Sequence, residues 1–136
     1  MRILAAAAQV SISLGAEEIS SSHVLVALTE TPGALADSLA VAGADANAVT
    51  QSMNEDADRW PRTPAGFVPF SDVTQRIRDL APQLAWEDGR AEATDTDLLA
   101  AIAEVPASSA MRTLSRLGLH GDDVRRIARS AGQDGR

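Results

Sequence analysis

The sequence predicts an all-α fold: two tandem four-helix repeats, eight helices in all, related by a pseudo-twofold axis and joined by a Pro/Gly-rich linker. Three observations lead there. The 136 residues include 26 alanines but only two Phe, two Trp and no Tyr, and alanine has the highest helix propensity and lets helices approach closely. The chain also matches itself. At an offset of 74 residues Ile3 falls on Ile77, Ser20 on Thr94, Ser22 on Thr96, Leu25 on Leu99 and Glu30 on Glu104; after one inserted residue Leu39 meets Leu114 and Val49 meets Val124. Finally, the match includes the punctuation: Gly15 with Gly89, Pro32 with Pro106, and Gly43 with Gly118.

Each element has a local cause. Met1 to Ala8 could pass for a signal peptide, but Gln9, Ser11 and Ser13 break the apolar run. Ile3, Leu4, Ala7, Val10, Ser11 and Leu14 recur instead at the spacing of one helix face, so the expectation is a helix over about 2–14 that ends at Gly15. A second helix starts at Ser20, whose hydroxyl can cap a free first-turn amide, and runs to about 30. A third follows Pro32, which is tolerated in a first turn, and ends at Gly43. A fourth covers about 45–56. The second repeat is expected to place helices at about 71–87, 94–104, 107–117 and 120–131, with Pro82 kinking or shortening the first of them. Thr94 takes the capping role of Ser20, and Asp97 three residues on nearly completes a capping box.

Residues 1–57 and 70–132 thus form the repeats of one domain, with a linker over 58–69 and a tail over 133–136. Three prolines and a glycine within the linker make it a loop, and long loops in compact domains are often functional. Three of the four aromatics, Trp60, Phe67 and Phe70, sit in it or at its exit. They either clamp the linker onto the helices or line an open groove for an extended ligand.

Several function classes drop out. With no cysteine there is no disulfide framework, thiol catalysis or Cys-based zinc site. A net charge of −7 disfavours nonspecific nucleic-acid binding, which needs clustered cations. No stretch approaches the roughly 18 apolar residues of a membrane span, so the cytoplasm is the expected compartment. The only histidines, His23 and His120, fall at helix starts in non-equivalent places of the two repeats, without the spacing of a metal or catalytic cluster. No enzyme activity, metal or cofactor is expected. The acidic pairs Glu17-Glu18, Glu87-Asp88 and Asp122-Asp123 read as solvated caps and dipole partners.

The paired units Ser20-Ser21-Ser22-His23-Val24-Leu25-Val26-Ala27-Leu28 and Thr94-Asp95-Thr96-Asp97-Leu98-Leu99-Ala100-Ala101-Ile102, with Pro32-Gly33-Ala34-Leu35 and a linker leaving at Phe70-Ser71, resemble the double repeat of the Clp N-terminal domain. That module heads the ClpA, ClpB and ClpC unfoldases, and the likeness runs from about residue 2 to 131. The resemblance implies a non-enzymatic module that binds peptides, adaptors or a Clp chaperone-protease component and so modulates proteolysis. The chain has no lysine and hence no Walker phosphate loop, so a stand-alone, monomeric relative of the recognition domain is expected.

In the ClpC branch a glutamate precedes each motif histidine, and the two acids read phosphorylated arginine. Ser22 and Thr96 hold those positions here, and a neutral hydroxyl cannot supply the charge-assisted fork. In actinobacterial relatives an N-terminal arm and the linker-exit aromatic border a pocket for cyclic-peptide antibiotics. Of these only the aromatic, Phe70, is matched, which keeps sequestration of such an antibiotic as an alternative, beside a scaffold with no pocket. The candidate binding residues are therefore Phe70, Ser71, Arg76, Asp79, Ser22 and Thr96. Arg76 and Asp79, three residues apart on one helix, are expected on a common face beyond Phe70.

Overall fold

The computed structural model describes residues 2–13, 18–57 and 70–134. Trp60, Phe67 and the 58–69 linker, on which the groove-or-clamp alternative turned, lie outside the described residues, as does Gly15. Eight helices are found among those described, in the order α1 (Arg2–Ser13), α2 (Ser21–Glu30), α3 (Ala34–Val41), α4 (Ala46–Ala57), α5 (Asp72–Glu87), α6 (Asp95–Ala103), α7 (Ser109–Arg116) and α8 (Gly121–Asp134). The fold is all-α. The one β-type contact described is an isolated parallel bridge between Ile19 and Phe70, where the Ser71 N–H donates to the Ile19 carbonyl at 3.1 Å.

The two repeats use the same devices at matched positions. Ser20 is the N-cap of α2 and Thr94 that of α6, and both complete a capping box: the cap hydroxyl takes the N3 amide while the N3 side chain, His23 or Asp97, takes the cap N–H. Gly43 and Gly118 follow α3 and α7 with φ of 95° and 87°, left-handed values that cost a residue with a Cβ of the order of 1 kcal/mol or more. The N-caps Gly33 and Ser108 also correspond, but Ser108 accepts from the Met111 amide whereas Gly33 has no side chain to offer.

The core is built around α2 and α6. Every residue from Ser21 to Leu28 is buried, as a helix enclosed on all sides requires. Its Leu25 and Leu28 join Leu98, Leu99, Ile102 and Leu114 in one apolar cluster. Buried alanines, among them Ala27, Ala81, Ala101 and Ala110, keep the helices close. Within the repeats α1 packs on α2 and α5 on α6; between them the third helices are exchanged, α3 lying on α8 and α7 on α4.

Helix α3 begins after Pro32 as expected, with Gly33 as its N-cap and α2 and α3 bent 103° across the break. One boundary expectation changes. Pro82 does not shorten α5, which runs unbroken to Glu87. Pro82 is exposed, so water can take the carbonyl bond its missing N–H leaves open. No single helix among the described residues is long and apolar enough to cross a membrane.

Candidate functional site

The six candidate residues do not form one site. Phe70 and Ser71 stand at the start of α5, where Ser71 caps the helix by accepting from the Thr74 amide at 3.1 Å. Phe70 is half-buried. The side chain that reaches it is Arg78, whose guanidinium lies 5.5 Å from the ring centroid, a cation–π distance. Arg78 also pairs with Asp79 at 3.6 Å. Arg76 and Asp79 are both exposed. Sequence spacing pointed to Arg76 because it shares a face with Asp79 three residues on; Arg78, two turns beyond Phe70, is the one that folds back.

Ser22 is fully buried and belongs to a hydroxyl cluster that ties the repeats together. Its amide and hydroxyl donate to Ser109 Oγ at 3.2 and 2.8 Å. Ser109 Oγ lies 3.0 Å from Ser21 Oγ, which accepts the Ala110 amide at 3.0 Å. This closes the α2–α7 junction, and it leaves no surface of Ser22 for a ligand.

The quasi-equivalent junction, between α6 and α3, is open. By the repeat offset Ser21 and Ser22 correspond to Asp95 and Thr96, while Ser109 and Ala110 correspond to Ala34 and Leu35. The latching hydroxyl of Ser109 is thus replaced by a methyl group. Here the structure has a cleft of about 850 Å³ lined by residues of α3, α6 and α8 and by the ends of α2 and α5. That volume lies in the range of ligand pockets. Thr96 lines it and is half-buried; its hydroxyl is 2.8 Å from that of Thr94, and its side chain lies against Gly132 of α8. Phe70, Ser71, Arg76, Asp79 and Ser22 are not among the lining residues. Along α5 the cleft end and the Phe70 end are roughly 25 Å apart at 1.5 Å per residue.

The floor of the cleft is apolar, carrying Leu28, Leu35, Leu84 and Ala128, and its rim is charged. Asp97, only 5% exposed, receives Arg90 in a two-pronged bond, Nη1 to Oδ2 at 2.7 Å and Nη2 to the other oxygen. The Thr94 N–H adds a third bond at 2.7 Å. Burial alone would raise the Asp97 carboxyl, but these bonds outweigh it and hold it below the ordinary aspartate value. Arg90 is raised in turn by Asp97 and Asp88, and bonds Asp88 as well, at 3.0 Å. Arg125 donates to Glu104 at 3.1 Å and to Asp122 at 3.0 Å.

In the first repeat the counterpart of Asp97 is His23, fully buried. Its Nδ1 accepts the Ser20 N–H at 2.9 Å, and burial pushes the imidazole down to about 4. The ring is therefore neutral at physiological pH and serves as a helix cap. His120 lies apart at the start of α8, where its N–H donates to Asp123. No group of three or more His, Cys, Asp or Glu among the described residues could hold a metal ion.

The duplicated helix order, the exchanged third helices and the matched caps define a particular architecture, and the sequence bears it out. The model of the family described as Clp repeat (R) N-terminal domain matches residues 1–117. The chain belongs to this family. No curated protein matches the sequence. Among solved structures, this Clp N-terminal domain is similar to the Hsp104 N-terminal domain from Candida albicans, with a TM-score of 0.76 and 16% identity over 93% of this chain and 83% of that one. It is similar also to the N-terminal domain of the caseinolytic protease associated chaperone ClpD from Arabidopsis thaliana, with a TM-score of 0.76 and 19% identity over 95% and 88% of the two chains. The N-terminal domain of the E. coli ClpV1 ATPase gives a TM-score of 0.71 and 23% identity over 93% and 78%. At these identities the likeness is one of fold.

The residues that sequence reasoning missed are Arg90, Ser109 and Arg78. Two had a signal. A buried acid at the third position of a helix needs a cation, and Arg90 is the nearest in sequence to Asp97. Comparing the repeats position by position would have set Ser109 against Ala34 and marked the one junction where the copies differ.

Proposed function

We propose that this Clp N-terminal domain is a non-catalytic module that binds protein segments, whether peptides, adaptors or a component of a Clp chaperone-protease, and thereby modulates Clp-dependent proteolysis, with the open α3–α6 cleft as its binding surface. The observation that carries this reading is the cleft itself: an apolar floor with a charged rim, at the one inter-repeat junction that the pseudo-symmetry leaves unlatched. Its floor offers leucine and alanine surface to apolar side chains, and its rim offers polar groups to a peptide backbone. Of the sequence candidates, Thr96 belongs to this surface.

The Phe70 face supports the reading less. One face of its aromatic ring is already occupied by Arg78, and its backbone is fastened to Ile19, so it serves better as an anchor at the start of α5 than as a ligand floor.

The test is an anisotropy titration of labelled Leu- and Ala-rich peptides against the wild type, Ala100→Arg and Phe70→Ala. Ala100 lines the cleft and is half-buried at the margin of the core, so an arginine there obstructs it. Affinity is expected to fall about tenfold or more with Ala100→Arg, a loss of at least ~1.4 kcal/mol, and to stay near wild type with Phe70→Ala. Affinity lost with Phe70→Ala and kept with Ala100→Arg would move the binding surface to the start of α5.

A further inference from the structure

We propose that two copies of this chain associate through the exposed side of α5, the two helices lying antiparallel across a two-fold axis with Trp86 and Pro82 of each copy at the centre. The starting observation is Trp86, an indole left 78% exposed in a chain with only four aromatic residues. Single exposed aliphatic side chains are ordinary, and Ile12 and Val41, on two other helices, are of that kind. Trp86 differs, because Pro82 lies one turn before it on the same side of α5 and is exposed as well. Helical side chains tilt toward the N-terminus of their helix, which carries the indole toward Pro82. Tryptophan is also among the residues most enriched at the energetic centres of interfaces.

The charges of α5 choose the occupant. Its exposed side carries Arg76 in the first half and Glu87 at the end, so a second α5 running the opposite way sets each Arg76 against the other copy's Glu87. In the same register Asp79 meets Gln83, and Gln75 meets Trp86. All three pairs are centred within half a residue of Ala81, and one two-fold axis satisfies only pairs that share a centre. The helix geometry agrees. Gln75, Pro82 and Trp86 fall within about 40° of one another around the helix, and Arg76 and Glu87 within about 20° of each other along one edge. In an antiparallel pair related by a two-fold axis like edges meet, so that edge faces its own copy; a parallel pairing would set Arg76 beside Arg76. Asp79 is already offset by Arg78 at 3.6 Å, so the axis receives no uncompensated carboxylate. One helix per copy buries less than the roughly 1,200 Å² of a standard interface, and two chains of net charge −7 repel, so a dissociation constant of about 10–100 μM is expected. The expected monomer thus becomes one side of a weak equilibrium. Leu84, the α5 residue of the cleft floor, points about 160° away from Trp86, so the dimer leaves the cleft open and does not depend on the peptide-binding reading.

The experiment is sedimentation equilibrium of the full chain at concentrations up to about 1 mM, above the expected dissociation constant, with circular dichroism checking that each variant keeps wild-type helicity. The wild type is expected to show monomer and dimer and no larger species, as a closed two-fold contact requires. Trp86→Ala is expected to weaken the dimer about tenfold or more, and Val41→Ala to leave it unchanged. Arg76→Glu and Glu87→Arg each place two like-charge contacts in their own homodimer and are expected to weaken it about fivefold or more. Mixed in equal amounts, these two variants form a heterodimer in which both contacts are again of opposite sign, and near wild-type association is expected to return. A wild type that stays monomeric throughout that range overturns the proposal, as does a dimer indifferent to Trp86→Ala. Charge variants that stay apart when mixed overturn the antiparallel register, and the proposal with it. Peptide binding is decided separately by the titration with Ala100→Arg, and Trp86→Ala is expected to leave it near wild type.

Discussion

His23 and Asp97 hold the same position in the two repeats and solve the same problem by different chemistry. Each returns a hydrogen bond to the N-cap amide of its helix from a side chain that is itself buried. His23 does so as a neutral ring, at the cost of titrating. The unfolded imidazole binds its proton below about 6.5 and the folded one only below about 4. Between those values the unfolded state holds the extra proton, so stability is full above pH 6.5, falls as the pH drops towards 4, and levels off below. The drop amounts to at most about 3 kcal/mol. Urea melts from pH 7 to 4 should show it, and His23→Gln, which can keep the box without titrating, should flatten the curve relative to wild type.

Asp97 has the opposite sense. Its lowered carboxyl contributes above the ordinary aspartate range, and that contribution is lost as the pH falls below 3.8 through the folded value. Asp97→Asn weakens the bonds to Arg90 and is expected to cost about 2 kcal/mol at pH 7 by denaturant melts. The difference from wild type should shrink towards pH 2. The sequence showed Asp97 as a near-match to a capping box, because that pattern is local. It did not show that Arg90 closes over it, because that depends on how the turn after α5 folds back.

Helix by helix, the starts and stops were legible wherever short-range chemistry decides them. Ser20 and Thr94 cap α2 and α6, and Gly43 and Gly118 terminate α3 and α7, all within one repeat offset. Pro82 was misread because the cost of an internal proline depends on which face carries it, and the exposed face of α5 can hand the orphaned carbonyl to water. The latch between α2 and α7 was also invisible: its serines are 87 and 88 residues apart. Ser109→Ala removes the shared acceptor from Ser22 and is expected to cost about 2 kcal/mol, whereas Ser115→Ala, on the exposed side of the same helix, should stay within about 0.5 kcal/mol. Equal effects of the two changes by thermal or urea melts would remove the latch from the account.

In the assembled molecule, duplication gives two copies of each inter-repeat junction, and sequence divergence has made one of them closed and the other open. The all-α class and the doubled order of helices could be read from the sequence because repeats and punctuation survive as patterns. The site could not. Of the six residues singled out, Phe70 and Ser71 stand at a helix start, Arg76 and Asp79 on the exposed side of α5, Ser22 in the buried latch, and only Thr96 lines the cleft, since a cleft is defined by what two distant segments fail to do together. The direct test is a heteronuclear NMR titration of the full chain with a Leu- and Ala-rich peptide. The amide shifts are expected to concentrate on Gly33, Leu35, Thr96, Ala100 and Arg129. Shifts that centre on Phe70, Ser71 and Arg76 and leave the cleft residues unmoved would contradict it.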